Sequence, residues 1–195
     1  MCHALLRDAT LYDVLFELDR DLAAQTRAAG CPCGGVLHSA RYPRKPRGGL
    51  EDLGPAYTTR LSFCCAVEGC RRRVTPPSVR YLGRRVYLGA VVVLVTAMRA
   101  GITARRAAQL REWLGVSSRT LARWRRWWRE TFVASAFWQE MKGRFAPPVA
   151  PHKLPASLLE RFVADHVHAR VVAVLKFLAP ITTCPARRAS RERGA

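Results

Sequence analysis

Five of the seven cysteines fall in two groups: Cys31 and Cys33 in "CPCGG", and Cys64, Cys65 and Cys70 in "FCCAVEGCRRR". Zinc takes four thiolate or imidazole ligands in a tetrahedron, usually supplied as two pairs on tight turns. Glycine beside the cysteines lets backbone amides turn toward sulfur. Cys31 and Cys33 make the first pair, and Cys70 with Cys65 or Cys64 makes the second. A separation of about 30 residues suits a ribbon in which each pair tips a β-hairpin. The first spacing is C-x-C, with only Pro32 between, and the second is wider than the usual C-x-x-C. His38 is an alternative ligand. Four protein ligands leave no open position for water, so the expected zinc is structural. This segment has few apolar residues, which makes metal binding part of its folding. The competing reading is a set of ordinary buried thiols.

A second chemistry lies in "AAQLREWLGVSSRTLARWRRWWRE", residues 107–130. A helix carrying Leu110, Trp113 and Leu114 ends at Gly115, Val116 plugs a turn, and Ser117 caps the next helix. Leu121, Trp124, Trp128 and Phe132 then recur at steps of three and four along one stripe. At about 100° per residue, Arg119, Arg123 and Arg126 cluster on the opposite side. Such a helix docks by one face and carries guanidinium groups into a major groove by the other, where arginine pairs bidentately with guanine. Ser118 and Thr120, near the helix start, reach phosphate or base edges, while Arg125 and Arg129 flank the stripe and grip backbone phosphate. Helix-turn-helix units usually hold a small residue four before the turn glycine. Here that residue is Arg111, whose long stem can carry its charge outward. Trp127 lies off the stripe and is a candidate for stacking on unpaired bases.

The elements that position these residues follow from pattern. Residues 10–29 read as an amphipathic helix on Leu11, Leu15, Leu18 and Leu22, with Val14 beside them, Asp13 in its first turn and Gly30 as its stop. "RYPRKPRGGLEDLGPAY" reads as a loop, "YTTRLSF" as a strand, and "RRRVTPPSVRYLG" as a second extended segment. The apolar run Val86–Met98 is too short for a bilayer, which needs about 20 residues. Further helices are expected over 86–99, 103–113 and 118–139, with a break at Gly101. A proline-rich connector covers 143–156. A last helix over 157–178 would be capped by Ser157 with Glu160. The predicted fold class is mainly α: a small zinc-ribbon-like β unit followed by a helix-turn-helix helical domain. Its parts are an N-terminal helix (1–30), the zinc-ribbon-like unit (31–85), the helix-turn-helix domain (86–142), the connector with its helix (143–180) and a disordered basic tail (181–195).

Charge bounds the partner. The formal net charge is +19, from 33 Lys+Arg against 14 Asp+Glu. Five acids (Asp8, Asp13, Glu17, Asp19, Asp21) and two bases (Arg7, Arg20) fall within residues 1–21, so the excess lies beyond them. Such an excess points to a polyanion, nucleic acid first, although an arginine-rich composition also arises from codon bias. No basic region followed by a long apolar core opens the chain, and the cysteine count is odd. Both lead to an expectation of a reducing, cytoplasmic, nucleoid-associated protein with no membrane partner.

"LGVSSRTLARWRRWW" resembles the helix-turn-helix of bacterial insertion-sequence transposases and their small accessory proteins. Together with "YDVLFELDRDLAAQTRAAGCPCGG", "YPRKPRG" and "CRRRVTPPSVRYLGRRVY", it looks like a group of short bacterial transposase-like proteins. The resemblance covers roughly residues 10–160, and the family's usual first knuckle is C-x-x-C. It implies binding to a transposon end or an operator, as a homodimer or beside a separately encoded transposase subunit.

Transposition by a DDE centre needs three carboxylates on two metal ions. After Arg119 the acids are Glu130, Glu140, Glu160, Asp165 and Glu192, with no ribonuclease-H-like strand series around them. Asp13, Glu17, Asp19 and Asp21 read as a solvated helix face. His166 and His168 stand two apart on a predicted helix and do not share a face. The expectation is therefore a sequence-specific duplex-DNA binder without a catalytic domain. The alternatives are a truncated or decayed transposase and an RNA-binding basic zinc-ribbon protein, the latter disfavoured because A-form major grooves do not admit a helix.

Overall fold

The computed structural model describes residues 2–50, 53–82, 87–97 and 103–183. It is mainly helical, with a small antiparallel sheet region. The expected break at Gly101 and most of the expected basic tail lie outside the described residues.

After a short helix α1 (Cys2–Leu6), α2 runs over Ala9–Ala29. Its N-terminal carboxylate is Asp8, not Asp13: Asp8 caps the helix by accepting from the Thr10 amide at 2.9 Å. Gly30, at φ 72°, ends it. The buried face is Leu11, Tyr12, Leu15, Asp19 and Ala23. Leu18 and Leu22 are only partly buried, and Val14 is exposed. The expected leucine stripe is thus rotated toward positions 12, 19 and 23, and the reason is a buried charge.

Asp19 is 1 % exposed, which corrects its placement on a solvated face. Its Oδ2 accepts from Arg80 Nε at 2.8 Å and from Ser78 Oγ at 2.6 Å, and its Oδ1 from the Val79 amide at 2.7 Å. Arg80 is fully buried. Its remaining nitrogens donate to the Tyr57 carbonyl and, at 3.1 Å, to the Thr59 carbonyl. The guanidinium carbon lies 4.9 Å from the ring centroids of both Phe16 and Tyr57.

Residues 57–63 do not form one strand. Tyr57 ends up in a single turn of helix, α3 (Pro55–Thr58), and the chain then enters β3 (Thr59–Arg60) and β4 (Phe63–Cys65). β1 (Leu37–Ser39), β4 and β5 (Arg73–Val74) make a three-stranded antiparallel sheet in the order β1-β4-β5. β2 (Tyr42–Pro43), inside the expected loop, pairs with β3. The change of partner at Leu61–Ser62 splits the alternating run.

The apolar run becomes α4 (Gly89–Thr96), every residue of which is buried, as a helix apolar on all sides requires. α5 (Ala104–Leu114) and α6 (Ser118–Arg126) follow. The expected helix over 118–139 is interrupted: six residues, Trp127–Phe132, wind as a π-helix, and Ser135 caps a new helix, α7 (Ala136–Met141). The wider π turn sets Trp128 and Phe132 into the core at 0 % and 1 % exposure. The last expected helix also divides, into α8 (Ala156–Leu159) and α9 (Val167–Leu178). Ser157 is no cap; it is buried and donates to the Ala150 carbonyl at 2.7 Å. α9 packs on α4, and Val149 and Leu154 of the proline-rich stretch join the same core. No helix among the described residues is long and apolar enough to cross a membrane.

Removing one member of a buried ion pair leaves the other charge without compensation, at a cost of about 3–5 kcal/mol. Asp19→Ala should lower unfolding stability by that order in urea titrations. The double variant Asp19→Leu, Arg80→Met should lose less than Asp19→Ala alone.

Candidate metal centre and basic helix

The thiols of Cys31, Cys33, Cys65 and Cys70 come together with all four sulfurs within 4.8 Å of one another, close enough to hold a metal ion. Cys31 and Cys70 stand 3.8 Å apart and Cys33 and Cys65 3.4 Å. A disulfide needs about 2.05 Å. A tetrahedron with metal–sulfur bonds of about 2.3 Å has edges near 3.8 Å, so the donor set fits a tetrathiolate metal.

The sheet register decides between the adjacent cysteines. Leu37 faces Cys65 across β1 and β4, and His38 faces Cys64. Successive side chains of a strand point to opposite faces, so Cys65 turns inward with Leu37 while His38 and Cys64 turn away. Cys64 Sγ lies 3.4 Å from the Arg71 carbonyl, outside the cluster. His38 is exposed and contributes no ligand atom to it.

Backbone amides organise the sulfurs. The Gly35 amide, aided by the neighbouring thiols, pulls Cys33 down to a pKa of about 7. The Cys33 amide acts in the same sense on Cys31, but burial and adjacent thiols leave Cys31 raised. Burial pushes Cys65 up to about 12, against the pull of the Val67 amide. In each case the amide two residues on is aimed at sulfur. Gly34, at φ 82°, makes the first turn. A Cβ on Gly35 would lie 2.6 Å from Val67 Cγ2 and 2.7 Å from Cys65 Sγ, so only glycine lets the two loops close.

The second assembly is α5, its turn and α6. Gly115 sits at φ 63°. Its carbonyl accepts from the Tyr87 hydroxyl at 2.6 Å, and the Tyr87 ring meets Trp124 edge-on at 4.9 Å. Val116 is buried in the turn. Ser117 caps α6 through the Thr120 amide at 3.2 Å, and its hydroxyl also meets that of Thr120 at 3.1 Å. Leu121, Trp124, Trp128 and Phe132 are all buried. Trp128 Nε1 donates to Thr96 Oγ1 at 3.0 Å, which fastens the stripe to α4.

The opposite face is basic. Ser118, Arg119, Arg123, Arg126 and Arg129 are exposed, while Thr120 and Arg125 are half-buried. Among the described residues no ion pair engages any of these five arginines. Arg111 is exposed, its charge directed outward. Trp113 is 44 % exposed. Trp127 is half-buried against Trp128 (4.7 Å) and Phe132 (5.5 Å). Tyr87 is the residue that sequence reasoning missed, because nothing local marks a tyrosine as the partner of a turn 28 positions away.

Gly35→Val should weaken Co(II) binding about 10- to 100-fold, read from thiolate charge-transfer absorption, with Cys64→Ser unchanged. No family model, curated protein or solved structure matches this chain.

Proposed function

We propose that this chain is a sequence-specific duplex-DNA-binding protein. In this reading α5, the Gly115–Ser117 turn and α6 act as a helix-turn-helix, with structural zinc on Cys31, Cys33, Cys65 and Cys70. The observation that carries it is the division of this helix: an apolar stripe sunk in the core, and an outward face of arginines that no ion pair among the described residues engages. Arg119, Arg123 and Arg126 meet base edges, with Ser118 at the helix start, and Arg125 and Arg129 contact phosphate. Thr120 serves the cap more than the ligand, since its hydroxyl is held by Ser117.

Four thiolates in tetrahedral reach suit zinc, which supplies a fixed crosslink between the two loops and leaves no position for a substrate. The reading is of a binder without its own catalytic domain. Of the N-terminal acids, Asp19 is spent on Arg80, Glu17 pairs with Arg20 at 3.0 Å, and Asp8 caps the helix. A transposon end or an operator is the class of site that the resemblance to insertion-sequence proteins suggests. The protein would work there as a homodimer or beside a separately encoded transposase subunit, in association with the nucleoid.

The test is selection from a random duplex pool at about 0.15 M salt, where weak charge contacts are screened. A definite motif should emerge, and a chelator should abolish it. Arg123→Ala should cost about 1–3 kcal/mol on that motif and little on random duplex, whereas Arg129→Ala should weaken both alike and lower the salt slope by about one. Salt-sensitive binding with no motif would remove the recognition-helix reading. Preference for structured RNA over duplex would favour the RNA-binding alternative.

A further inference from the structure

A concave site separate from α6 lies at the seam between α2 and the sheet region. It has a volume of about 580 Å³, within the range of small-molecule pockets. Its α2 wall is a stripe in which Arg20 and Arg27 stand seven residues apart, hence on one face and about 10 Å apart along the axis. Ala23 and Ala24 lie between them and leave the space open. Arg41, between β1 and β2, supplies a third guanidinium. Phe16, Leu61 and Phe63 give an apolar floor, and among the described residues no carboxylate lines the groove. Among the described residues Arg20 pairs with Glu17 alone, in an exposed pair at 3.0 Å that a stronger anion can displace.

Three guanidinium forks around an aromatic floor match an anion joined to a flat apolar body. Arginine presents paired donors to phosphate, and phenylalanine offers a face or edge to a base. We propose that this groove binds a nucleoside phosphate, the phosphate on Arg20, Arg27 and Arg41 and the base over Phe16 and Phe63. The source is either a free mononucleotide or one nucleotide of an unpaired strand. The site is separate from α6, and its volume of about 580 Å³ is that of a small-ligand pocket.

Titration calorimetry on the zinc-loaded full chain tests this, using thymidine 5′-monophosphate, inorganic phosphate and a thymidine tetranucleotide. The mononucleotide, the tetranucleotide or both should bind at least about tenfold more tightly than inorganic phosphate, a margin set by base stacking. Tetranucleotide binding alone would identify the unpaired strand as the source; equal binding would identify the free nucleotide. Ala24→Trp, which fills the groove from an exposed position, and Arg41→Ala should each weaken binding at least about tenfold, with circular dichroism and zinc content unchanged. Arg123→Ala should leave it intact, and Ala24→Trp should leave duplex selection intact. Phosphate binding as well as nucleotide, nucleotide binding insensitive to both groove variants, or binding of an acidic amphipathic peptide in place of nucleotides would overturn the proposal.

Discussion

The buried pair of Asp19 and Arg80 is the constraint on which the rest of the arrangement depends. Two charges removed from water are tolerated only when their remaining hydrogen-bonding capacity is met. Here the carboxylate takes Ser78, Val79 and Arg80, and the guanidinium takes the carbonyls of Tyr57 and Thr59 besides. These partners come from α2, from the α3–β3 corner and from the segment before α4. Three stretches far apart in sequence are therefore held at one point. The specificity is geometric, because a purely apolar contact would allow α2 to slide or rotate on its neighbours.

From that point the structure runs in two directions. Toward the sheet, α2 ends at Gly30 and delivers Cys31 to the sulfur cluster, while Arg60 beside Thr59 reaches the Pro76 carbonyl. Toward the helices, the Arg80 carbonyl accepts from the Gly89 amide at 2.8 Å and sets the start of α4. Tyr87, two residues earlier, then reaches the Gly115 carbonyl and the Trp124 ring. Residues 78–80 thus meet α2 and the α3–β3 corner, and Tyr87 meets the turn before the basic helix.

The two candidate sites use arginine differently. On α6 the guanidinium groups stand on a convex helix face with their backs to an aromatic core, which suits a groove in the ligand. Between α2 and the sheet they rim a hollow with an apolar floor, which suits a ligand that enters the protein. Among the described residues no ion pair engages the arginines of the basic helix, whereas in the groove Arg20 carries an exposed pair with Glu17; Asp8 caps α2 and Asp19 serves the buried pair.

Sequence alone determined the features governed by local period and chemistry. The stop at Gly30, the cap at Ser117, the buried stripe Leu121–Trp124–Trp128–Phe132 and an apolar helix within Val86–Met98 all follow from spacing of three and four and from the free amides of a helix start. The cysteine pairs were legible as donors of the right type, because knuckles are local turns. Tertiary structure decided what depends on a remote partner. It chose Cys65 over Cys64, since strand register sets which face a side chain takes. It buried Asp19, because Arg80 waits 61 residues away. It turned Val14 outward, broke the helices near Trp127 and Glu160 to fit the core, and assembled the arginine groove from α2 and the sheet region, which no single stretch of sequence contains. The physical reason is the same each time: periodicity tells which residues share a face, and only the partner tells what that face meets.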